Sequence, residues 1–356
     1  MKRILAINPG STSTKVALYA DKQEMIVETL DHPVSEIQKF EHVQDQFEFR
    51  KNVITDLLKE NGISFESLDA VVGRGGLLPP VKSGAYKVND VMVDRLKNNP
   101  VVEHASNLGA LIAYEIAEEV GIPAFIYDSV AVDELTDVAR ISGMPLISRA
   151  SLLHALNARA MAHKVAEKHG KKYNEMNMIV AHLGGGISVS AHEKGQMIDL
   201  NSDDEGPFSP ERSGRVPCNK LIDLCYSGKY DKKTMKKMLR GKGGLSAYLG
   251  TVDVREVEKM IEQGDKEAKL VHEAMTYQVA KAIGELATVL KGDIDVIVLT
   301  GGIAYSKMIT DLVSERVSFM APVEIMAGEN ELESLAFGTL RVLNGEEEAR
   351  IYTEEN

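Results

Sequence analysis

Two loops built from small residues carry the clearest chemical signal in this chain of 356 residues. The first loop, residues 8–15 (NPGSTSTK), combines a glycine, a run of hydroxyl side chains and a lysine. The second loop, residues 184–186, is three consecutive glycines. Small residues let backbone amides approach phosphate oxygens, and the amide dipoles stabilise the bound anion. Apolar segments flank each loop, so both also fit the alternative of a plain β-hairpin turn.

The two loops occupy matching places in a repeated pattern. Downstream of each, an acidic residue, an apolar run and paired glycines recur, as DAVVGRGG at residues 69–76 and DVIVLTGG at residues 295–302. This pattern predicts a buried strand that delivers backbone to a ligand. The spacing from loop to glycine pair is about 52 residues longer in the second copy, which indicates an insertion around residues 200–250 of a kind that usually has a function. The chain is therefore predicted to be a duplicated α/β unit that holds a nucleotide between its halves.

Four charged residues lie where such a unit binds ligands. Asp128 follows a short apolar strand at the sheet edge where open α/β sheets bind ligands, which favours a carboxylate near Mg²⁺. The alternative is a helix N-cap for residues 130–139. Glu331 has the comparable place in the second half. Arg74 and Arg212 lie in glycine-containing turns and are suited to bidentate bonds with a carboxylate or phosphoryl group, with a surface ion pair as the alternative.

Composition excludes several other classes of protein. The net charge of −12 disfavours nucleic-acid binding, which needs concentrated positive charge. The basic run at residues 232–240 is interpreted as a solvated helix face. No apolar run approaches the length of a membrane span. The spacing of the two cysteines fits neither a redox pair nor a zinc site, so a reducing cytoplasm is expected.

The sequence lacks two common nucleotide-binding motifs, and its histidines cannot be assigned a role from their spacing. The sequence has no Walker A motif, and Gly73-x-Gly75 is followed by Leu78 where a dinucleotide fingerprint needs glycine. P-loop ATPases and NAD-dependent dehydrogenases are therefore disfavoured. Three histidines, His104, His154 and His182, lie near the motifs, but a lone histidine is more often structural.

Periodicity predicts the same order of elements in both halves. The predicted helices and strands are, in the first half, helix 34–61, strand 68–72, helix 101–120 ending at Gly121 and strand 124–127, and in the second half a hairpin from 178, helix 268–290, strand 295–299 and strand 323–326.

These motif blocks, in this order, resemble the acetate kinase family of the sugar kinase, Hsp70 and actin superfamily over essentially the whole chain. The resemblance implies two duplicated ribonuclease H-like (actin-like ATPase) domains, residues 1–150 and 151–333, with a cleft between them. A C-terminal helix at 334–356 would complete the first domain. The resemblance also implies a homo-oligomer, a dimer or higher.

The implied reaction is reversible transfer of the ATP γ-phosphoryl group to a small carboxylic acid, giving an acyl phosphate and ADP. The branch most similar to this chain uses butanoate. Kinases of acetate, propionate or branched-chain acids are alternatives, and an Hsp70-like or actin-like nucleotide switch is the non-enzymatic one. A cytoplasmic protein with Mg²⁺ as cofactor, and without nucleic-acid or membrane partners, is expected.

The resemblance also assigns residues. Those that would bind the nucleotide are Asn8, Ser11, Ser13, Lys15, His182, Gly184, Gly185, Gly186, Asp253, Val254, Arg255, Gly301, Gly302, Ile303 and Ser306. The acid would be bound by Arg74, His104 and Arg212, and Mg²⁺ by Asn8, Asp128 and Glu331. The catalytic candidates are Asp128, Arg212, Arg74, Arg149 and His154.

Two departures from the acetate kinase pattern affect these assignments. Acetate kinases have a histidine before the first glycine pair and their substrate arginine a few residues earlier, whereas here Arg74 stands in the histidine's place. Their block Phe-His-Gly-Thr-Ser-His is replaced by residues 148–154 (SRASLLH). Arg149 and His154 therefore both remain candidates for contact with the transition state.

Overall fold

The computed structural model describes residues 1–202 and 204–354. The chain divides into two compact units, one formed by residues 1–133 with the segment from 330 onward and the other by residues 134–329. Residues 134–150 are anchored to the second unit because Glu134 accepts a bond from the Met197 amide (3.0 Å) and Arg149 donates to Asp199 (2.9 Å).

The first unit is built on a mixed seven-stranded sheet. Its strands are β1 (Arg3–Pro9), β2 (Ser13–Ala20), β3 (Gln23–Asp31), β4 (Ala70–Arg74), β5 (Ala85–Lys87), β6 (Ala124–Tyr127) and, near the C-terminus, β14 (Arg350–Ile351). They lie in the order β14-β5-β6-β4-β1-β2-β3. The first three strands form an antiparallel meander, and β4 and β6 extend it in parallel from β1.

Five α-helices belong to the first unit. They are α1 (Val34–Ile37), α2 (Phe47–Glu60), α3 (Asp90–Asn98), α4 (Asn107–Val120) and, in the last segment of the chain, α13 (Glu331–Leu343). The predicted C-terminal helix 334–356 thus ends at Leu343 and is followed by β14, and residues 355 and 356 lie outside the described part of the chain.

Two helix predictions were too long at their N-terminal ends. Helix 34–61 is interrupted because His42 is extended and its amide bonds to Asp45 Oδ2 (3.0 Å), which starts a 3₁₀ turn at Val43–Gln46. The helix predicted at residues 101–120 begins only at Asn107. The Asn107 side chain donates to the Val102 carbonyl and accepts from the Leu77 amide (both 2.9 Å), which holds the preceding segment outside the helix. Its predicted end is confirmed by Gly121 in the left-handed conformation.

The second unit is built on a five-stranded sheet in the order β11-β10-β9-β12-β13. Its elements are α5 (Asp137–Arg140), β7 (Ile141–Met144), β8 (Ile147–Ser148), α6 (Ala155–Lys168), β9 (Asn177–Leu183), β10 (Ile187–Glu193), β11 (Gln196–Asn201), α7 (Cys218–Cys225), α8 (Lys232–Leu239), α9 (Gly244–Leu249), α10 (Val254–Glu262), α11 (Lys266–Val289), β12 (Val296–Gly301), α12 (Lys307–Val317) and β13 (Val323–Ala327). Apolar side chains fill both faces of this sheet, one against α11 and α12 and the other against α6.

The duplication predicted from the sequence is confirmed by the order of elements. A three-stranded meander, a helix, a parallel strand, a second helix and a second parallel strand occur as β1-β2-β3-α2-β4-α4-β6 and again as β9-β10-β11-α11-β12-α12-β13. The two copies differ most between the third strand and the next helix, which is residues 32–46 in one and 202–265 in the other. The longer segment contains α7 to α10, and the lysines of α8 are exposed as predicted. No helix among the described residues is long and apolar enough to cross a membrane.

The first glycine group serves packing within the protein. A Cβ atom on Gly73 would lie 2.0 Å from the Gly109 carbonyl oxygen of α4, and one on Gly75 would lie 2.5 Å from Ser129 Cβ. A Cβ atom on Gly76 would lie 2.5 Å from Asn107 Oδ1. Neighbouring protein atoms thus fill the space on the Cβ side of all three glycines, and the interpretation that their backbone meets a ligand stays a prediction.

We predict that Gly73→Ala destabilises the protein by about 1–3 kcal/mol, because the added methyl group overlaps backbone that cannot move away freely. The measurement is chemical unfolding. Gly284→Ala is the control, since this glycine lies within α11 with no atom near its Cβ position, and alanine there should stabilise by up to about 1 kcal/mol. Equal stability of the two variants would contradict the packing role of Gly73.

Candidate active site

In the first unit, two predicted site residues, Asn8 and Arg74, bond to the carboxylate of a third, Glu331. Asn8 at the end of β1 donates from Nδ2 to Glu331 Oε2 (2.5 Å), and Arg74 at the end of β4 donates to Glu331 Oε1. Glu331 is the first residue of α13, whose N-cap is Asn330. Both partners hold the carboxylate at the end of the β1–β2 hairpin, where Gly10 closes the turn by donating to the Ser13 carbonyl (2.8 Å).

This carboxylate is ionised at neutral pH. Burial alone would raise the pKa of Glu331, but the charge and hydrogen bond of Arg74, the bond from Asn8 and the charge of Lys15 hold it below the ordinary value. Burial, together with the charge of Arg74, lowers the pKa of His104. The His104 ring bonds to Ser106 Oγ through Nδ1 (2.8 Å). The first unit therefore brings a neutral histidine and an ion pair to one region.

Asp128 is a buried carboxylate on a strained backbone. It directly follows β6, is 1 % exposed and has a positive φ of 42°. Its Oδ1 accepts from the Gly84 amide (2.8 Å). Such conformations are costly and cluster at functional sites. The alternative interpretation as a helix N-cap was wrong, because the next helix is α5 and its cap is Thr136.

In the second unit, two histidines stack beside the glycine loop. The rings of His154 and His182 lie 3.9 Å apart and are nearly parallel (13°). Asn157 Nδ2 bonds to His182 Nδ1 (2.8 Å), and His182 Nε2 lies 3.4 Å from Glu329 Oε2. His154 Nδ1 bonds to Ser188 Oγ (3.0 Å). Burial, reinforced by the charges of His154 and Arg212, keeps the pKa of His182 well below its usual range, so this ring is neutral.

Arg212 lies directly against the triple-glycine loop. A Cβ atom on Gly186 would be 2.2 Å from Arg212 Nη1, so the guanidinium occupies the space that a side chain at this position would take. Ser209 Oγ donates to the Gly185 carbonyl (2.6 Å) and ties the arginine's segment to the loop. The structure therefore places Arg212, a catalytic candidate, beside the second glycine loop within one unit.

Arg149, by contrast, is held in a structural network. Its guanidinium donates to the Ala139 carbonyl (2.7 Å), the Leu200 carbonyl (2.5 Å), Asp199 (2.9 Å) and Glu205 (3.0 Å). These bonds fix the base of the β7–β8 hairpin against β11. The side chain therefore has partners other than the stacked histidines, although it stands close to His154 in the sequence.

Side chains predicted to bind adenosine act as helix caps. Asp253 accepts from the Arg255 amide (2.9 Å) at the start of α10, next to Val254, and also holds the Arg255 guanidinium. Ser306 accepts from the Ile309 amide (3.1 Å) at the start of α12 and donates to Glu258. At the glycine pair before Ile303, Gly301 packs on the Leu183 backbone, whereas a Cβ atom on Gly302 would meet no atom within 4 Å.

Two buried residues at these sites were missed by sequence reasoning. Asn157 orients His182, and Arg50 bonds to the first loop from behind. Arg50 had a detectable signal: it occupies the buried stripe of α2 together with Ile54 and Leu58, where an apolar residue is expected. Asn157 had none, because an asparagine in a helix does not reveal a partner on a distant strand.

The two units repeat one α/β arrangement, and each has a loop of small residues between its first two strands. The model of the acetokinase family matches residues 149–351. The chain belongs to the acetokinase family, as its motifs predicted.

Among its relatives are two proteins of Clostridium acetobutylicum named butyrate kinase 1 and butyrate kinase 2. Butyrate kinase 1 is 53% identical over 99% of this chain and 100% of that protein. Butyrate kinase 2 is 50% identical over 98% of this chain and 99% of that protein.

Solved structures similar to this chain include an acetate kinase of Porphyromonas gingivalis (TM-score 0.77, 20% identity, 96% of this chain and 100% of that chain covered). A propionate kinase of Francisella tularensis is also similar (TM-score 0.74, 21% identity, 95% and 99% covered). At such identities the likeness concerns the fold, and it confirms the predicted duplicated actin-like architecture.

We predict that Glu331→Gln lowers stability by about 1–3 kcal/mol at neutral pH, because it removes a charged partner of Arg74. The folded-state pKa of Glu331 lies below its ordinary value of 4.5. Its contribution is therefore fully present above that value and is lost as the pH falls through the folded-state pKa. Thermal unfolding of both proteins from neutral to acidic pH measures this difference.

Glu118→Gln is the matched control, since it makes the same change of net charge at an exposed position of α4. Its difference from the wild type should stay small throughout the pH range. If the stability difference between Glu331→Gln and the wild type persists unchanged into strong acid, the ion pair is not the source of that difference.

Proposed function

We propose that this chain is a butyrate kinase, which reversibly transfers the γ-phosphoryl group of ATP to butanoate and yields butanoyl phosphate and ADP. The observation that carries this proposal is the identity of about half of all residues with two butyrate kinases over nearly the full chain. An oxygen of the carboxylate attacks phosphorus, and the bond to ADP breaks. Because the acid is ionised near neutral pH, the step needs no general base.

Arg74 is proposed to bind the carboxylate of the acid. Its guanidinium already donates to the Glu331 carboxylate, so it is oriented to bond to this chemical group. A planar guanidinium fixes both oxygens of a carboxylate at once. Burial and the charge of Arg74 lower the pKa of His104, so this histidine is neutral. His104 is proposed to bind the same acid.

Arg212 and His154 are proposed to stabilise the charge on the phosphoryl group during transfer. Arg212 is supported by its contact with the Gly184–Gly186 loop, where amides can bind the nucleotide phosphates. Of the two candidates from the replaced sequence block, His154 is favoured because it stacks on His182 next to that loop, whereas Arg149 is engaged by four other groups. A guanidinium and a hydrogen-bond donor held in place lower the barrier to bringing two anions together.

The residues predicted to hold Mg²⁺ fit its chemistry. Among the described residues, no three or more His, Cys, Asp or Glu side chains are grouped as a metal site. Mg²⁺ needs no such group, because it is usually bound by one or two carboxylates together with substrate phosphates. Asp128 and Glu331 are the proposed carboxylates, and Asn8 is held beside Glu331. Bound Mg²⁺ supplies charge that neutralises the leaving diphosphate.

The proposed nucleotide contacts are backbone amides of the loops at residues 8–15 and 184–186, with the segments at 253–255 and 301–306 on the adenosine side. Because Asp253 and Ser306 already cap helices, their part in binding is proposed to be placement of the backbone around them. A cytoplasmic homo-oligomer is also proposed. Support for the compartment is that both cysteines are free thiols, as is usual under reducing conditions.

A comparison of kcat/KM among short-chain acids tests whether butanoate is the substrate. We predict that kcat/KM for butanoate exceeds that for acetate by roughly tenfold, since burial of two more methylene groups contributes about 0.8 kcal/mol each. Acyl phosphate trapped as hydroxamate is measured with acetate, propionate, butanoate, isobutanoate and valerate at subsaturating concentration. A maximum at acetate would contradict butanoate as the substrate, and no hydroxamate with any acid would contradict carboxylate phosphorylation itself.

The two candidates at residues 149 and 154 are distinguished by paired substitutions. We predict that His154→Gln lowers kcat on the order of 10²-fold with little change in ADP affinity, because a donor to the transferring group is lost. Arg149→Gln should chiefly lower the melting temperature, because it breaks the network at the β7–β8 hairpin. The roles are reversed if Arg149→Gln loses kcat at an unchanged melting temperature while His154→Gln keeps near wild-type turnover.

A further inference from the structure

Arg50 is a fully buried arginine that bonds to the first phosphate loop from behind. Its side chain is 0 % exposed. The guanidinium donates to the Ser13 carbonyl and Thr14 Oγ1 (both 3.0 Å) and to the Ser11 carbonyl (3.2 Å). Gln46 Oε1 accepts two further bonds, from Nε (3.1 Å) and Nη2 (2.8 Å). These five bonds use the five N–H groups of the side chain.

All five bonds go to neutral acceptors. Within the described part of the chain no carboxylate pairs with Arg50, although the pKa of about 10 to which burial lowers this group leaves it charged at neutral pH. Nearby His32 adds no charge, since burial and the charge of Arg50 lower its pKa to about 4. A buried charge without a counter-charge is costly. Buried charges in proteins are generally paired, and groups whose pKa is shifted by burial cluster at functional sites.

The bonds also set the direction of the loop backbone. The Ser11 and Ser13 carbonyls accept from Arg50, and the Thr12 carbonyl accepts from the His32 amide (2.8 Å). All three carbonyl oxygens are thus bonded to donors of the protein, and the Ser13 carbonyl also accepts from the Gly10 amide (2.8 Å). Among the described residues no acceptor bonds to the Ser11 or Thr12 amide, and both residues are exposed. These two N–H groups are therefore available to an anion.

We propose that Arg50 is a positioning residue for the nucleotide phosphates: it fixes the loop at residues 8–15 so that the Ser11 and Thr12 amides are available to an anion, and it places a positive charge on the buried side of the loop. The inference rests on the proposed function, in which this loop binds ATP. Arg50 touches no substrate itself, because the loop lies between its side chain and solvent. The counter-charge missing from its buried environment is supplied by the phosphates when they bind.

Gln46→Glu tests the charge while it keeps the shape. The substitution preserves an acceptor for Arg50, places a carboxylate beside it, and adds an acid at the start of α2, where the helix dipole favours one. We predict that ADP affinity, measured by calorimetry, falls on the order of tenfold, whereas adenosine affinity and melting temperature are maintained. A KM for ATP that rises more than kcat falls is the expected kinetic result.

Gln46→Met is the matched control, since it removes the hydrogen bonds to Arg50 without adding charge. It should lower the melting temperature more than Gln46→Glu and weaken ADP binding less. If Gln46→Glu does not fold, Arg50→Lys replaces it: the charge stays but most bonds to the loop are lost, and ADP but not adenosine should bind more weakly.

Wild-type ADP affinity in a folded Gln46→Glu protein, or equal weakening of ADP and adenosine, would overturn the proposal. Failure of the wild type to bind ADP or to form any acyl phosphate would instead overturn the proposed function. The two failures are therefore separable.

Discussion

The carboxylate of Glu331 connects three distant parts of the chain, and the candidate site in the first unit depends on it. Asn8, Arg74 and Glu331 come from the first hairpin, the strand β4 and the last long helix, and each contributes to one hydrogen-bonded group. An arginine and a glutamate that are mostly buried tolerate that burial only as a pair. The C-terminal helix must therefore return to the first unit for its sheet edge to be complete.

A net charge of −12 does not prevent a protein from binding anions. Net charge acts at long range and is screened by salt, whereas binding depends on the few charges at the site. In the first unit the basic residues at the candidate site are Arg50, Arg74 and Lys15, and in the second unit Arg212 lies against the glycine loop. Buried His182, by contrast, is kept neutral. In the role proposed for Arg74, the acid substrate offers this arginine the same chemical group that Glu331 does.

The sequence was sufficient to predict elements that depend on local pattern. Apolar strands on either side of a small-residue loop predicted both hairpins, and Gly121 marked the end of α4 because few other residues adopt its conformation. What could not be predicted depends on distant partners. Nothing near residue 42 shows that the helix must break there, and nothing near Arg149 shows that Asp199, Glu205 and Leu200 will occupy its guanidinium.

The glycines also show that the sequence does not reveal distant partners. A glycine in a loop permits close approach, but the sequence does not say what approaches. Gly73 and Gly186 both lack room for a methyl group, since a backbone carbonyl fills the space at the first and the Arg212 guanidinium at the second. At Gly302 the corresponding space contains no protein atom within 4 Å. Of the glycines in these motifs, Gly302 is thus one whose missing side chain leaves space for a ligand, whereas Gly186 acts indirectly, by letting an arginine lie against the loop.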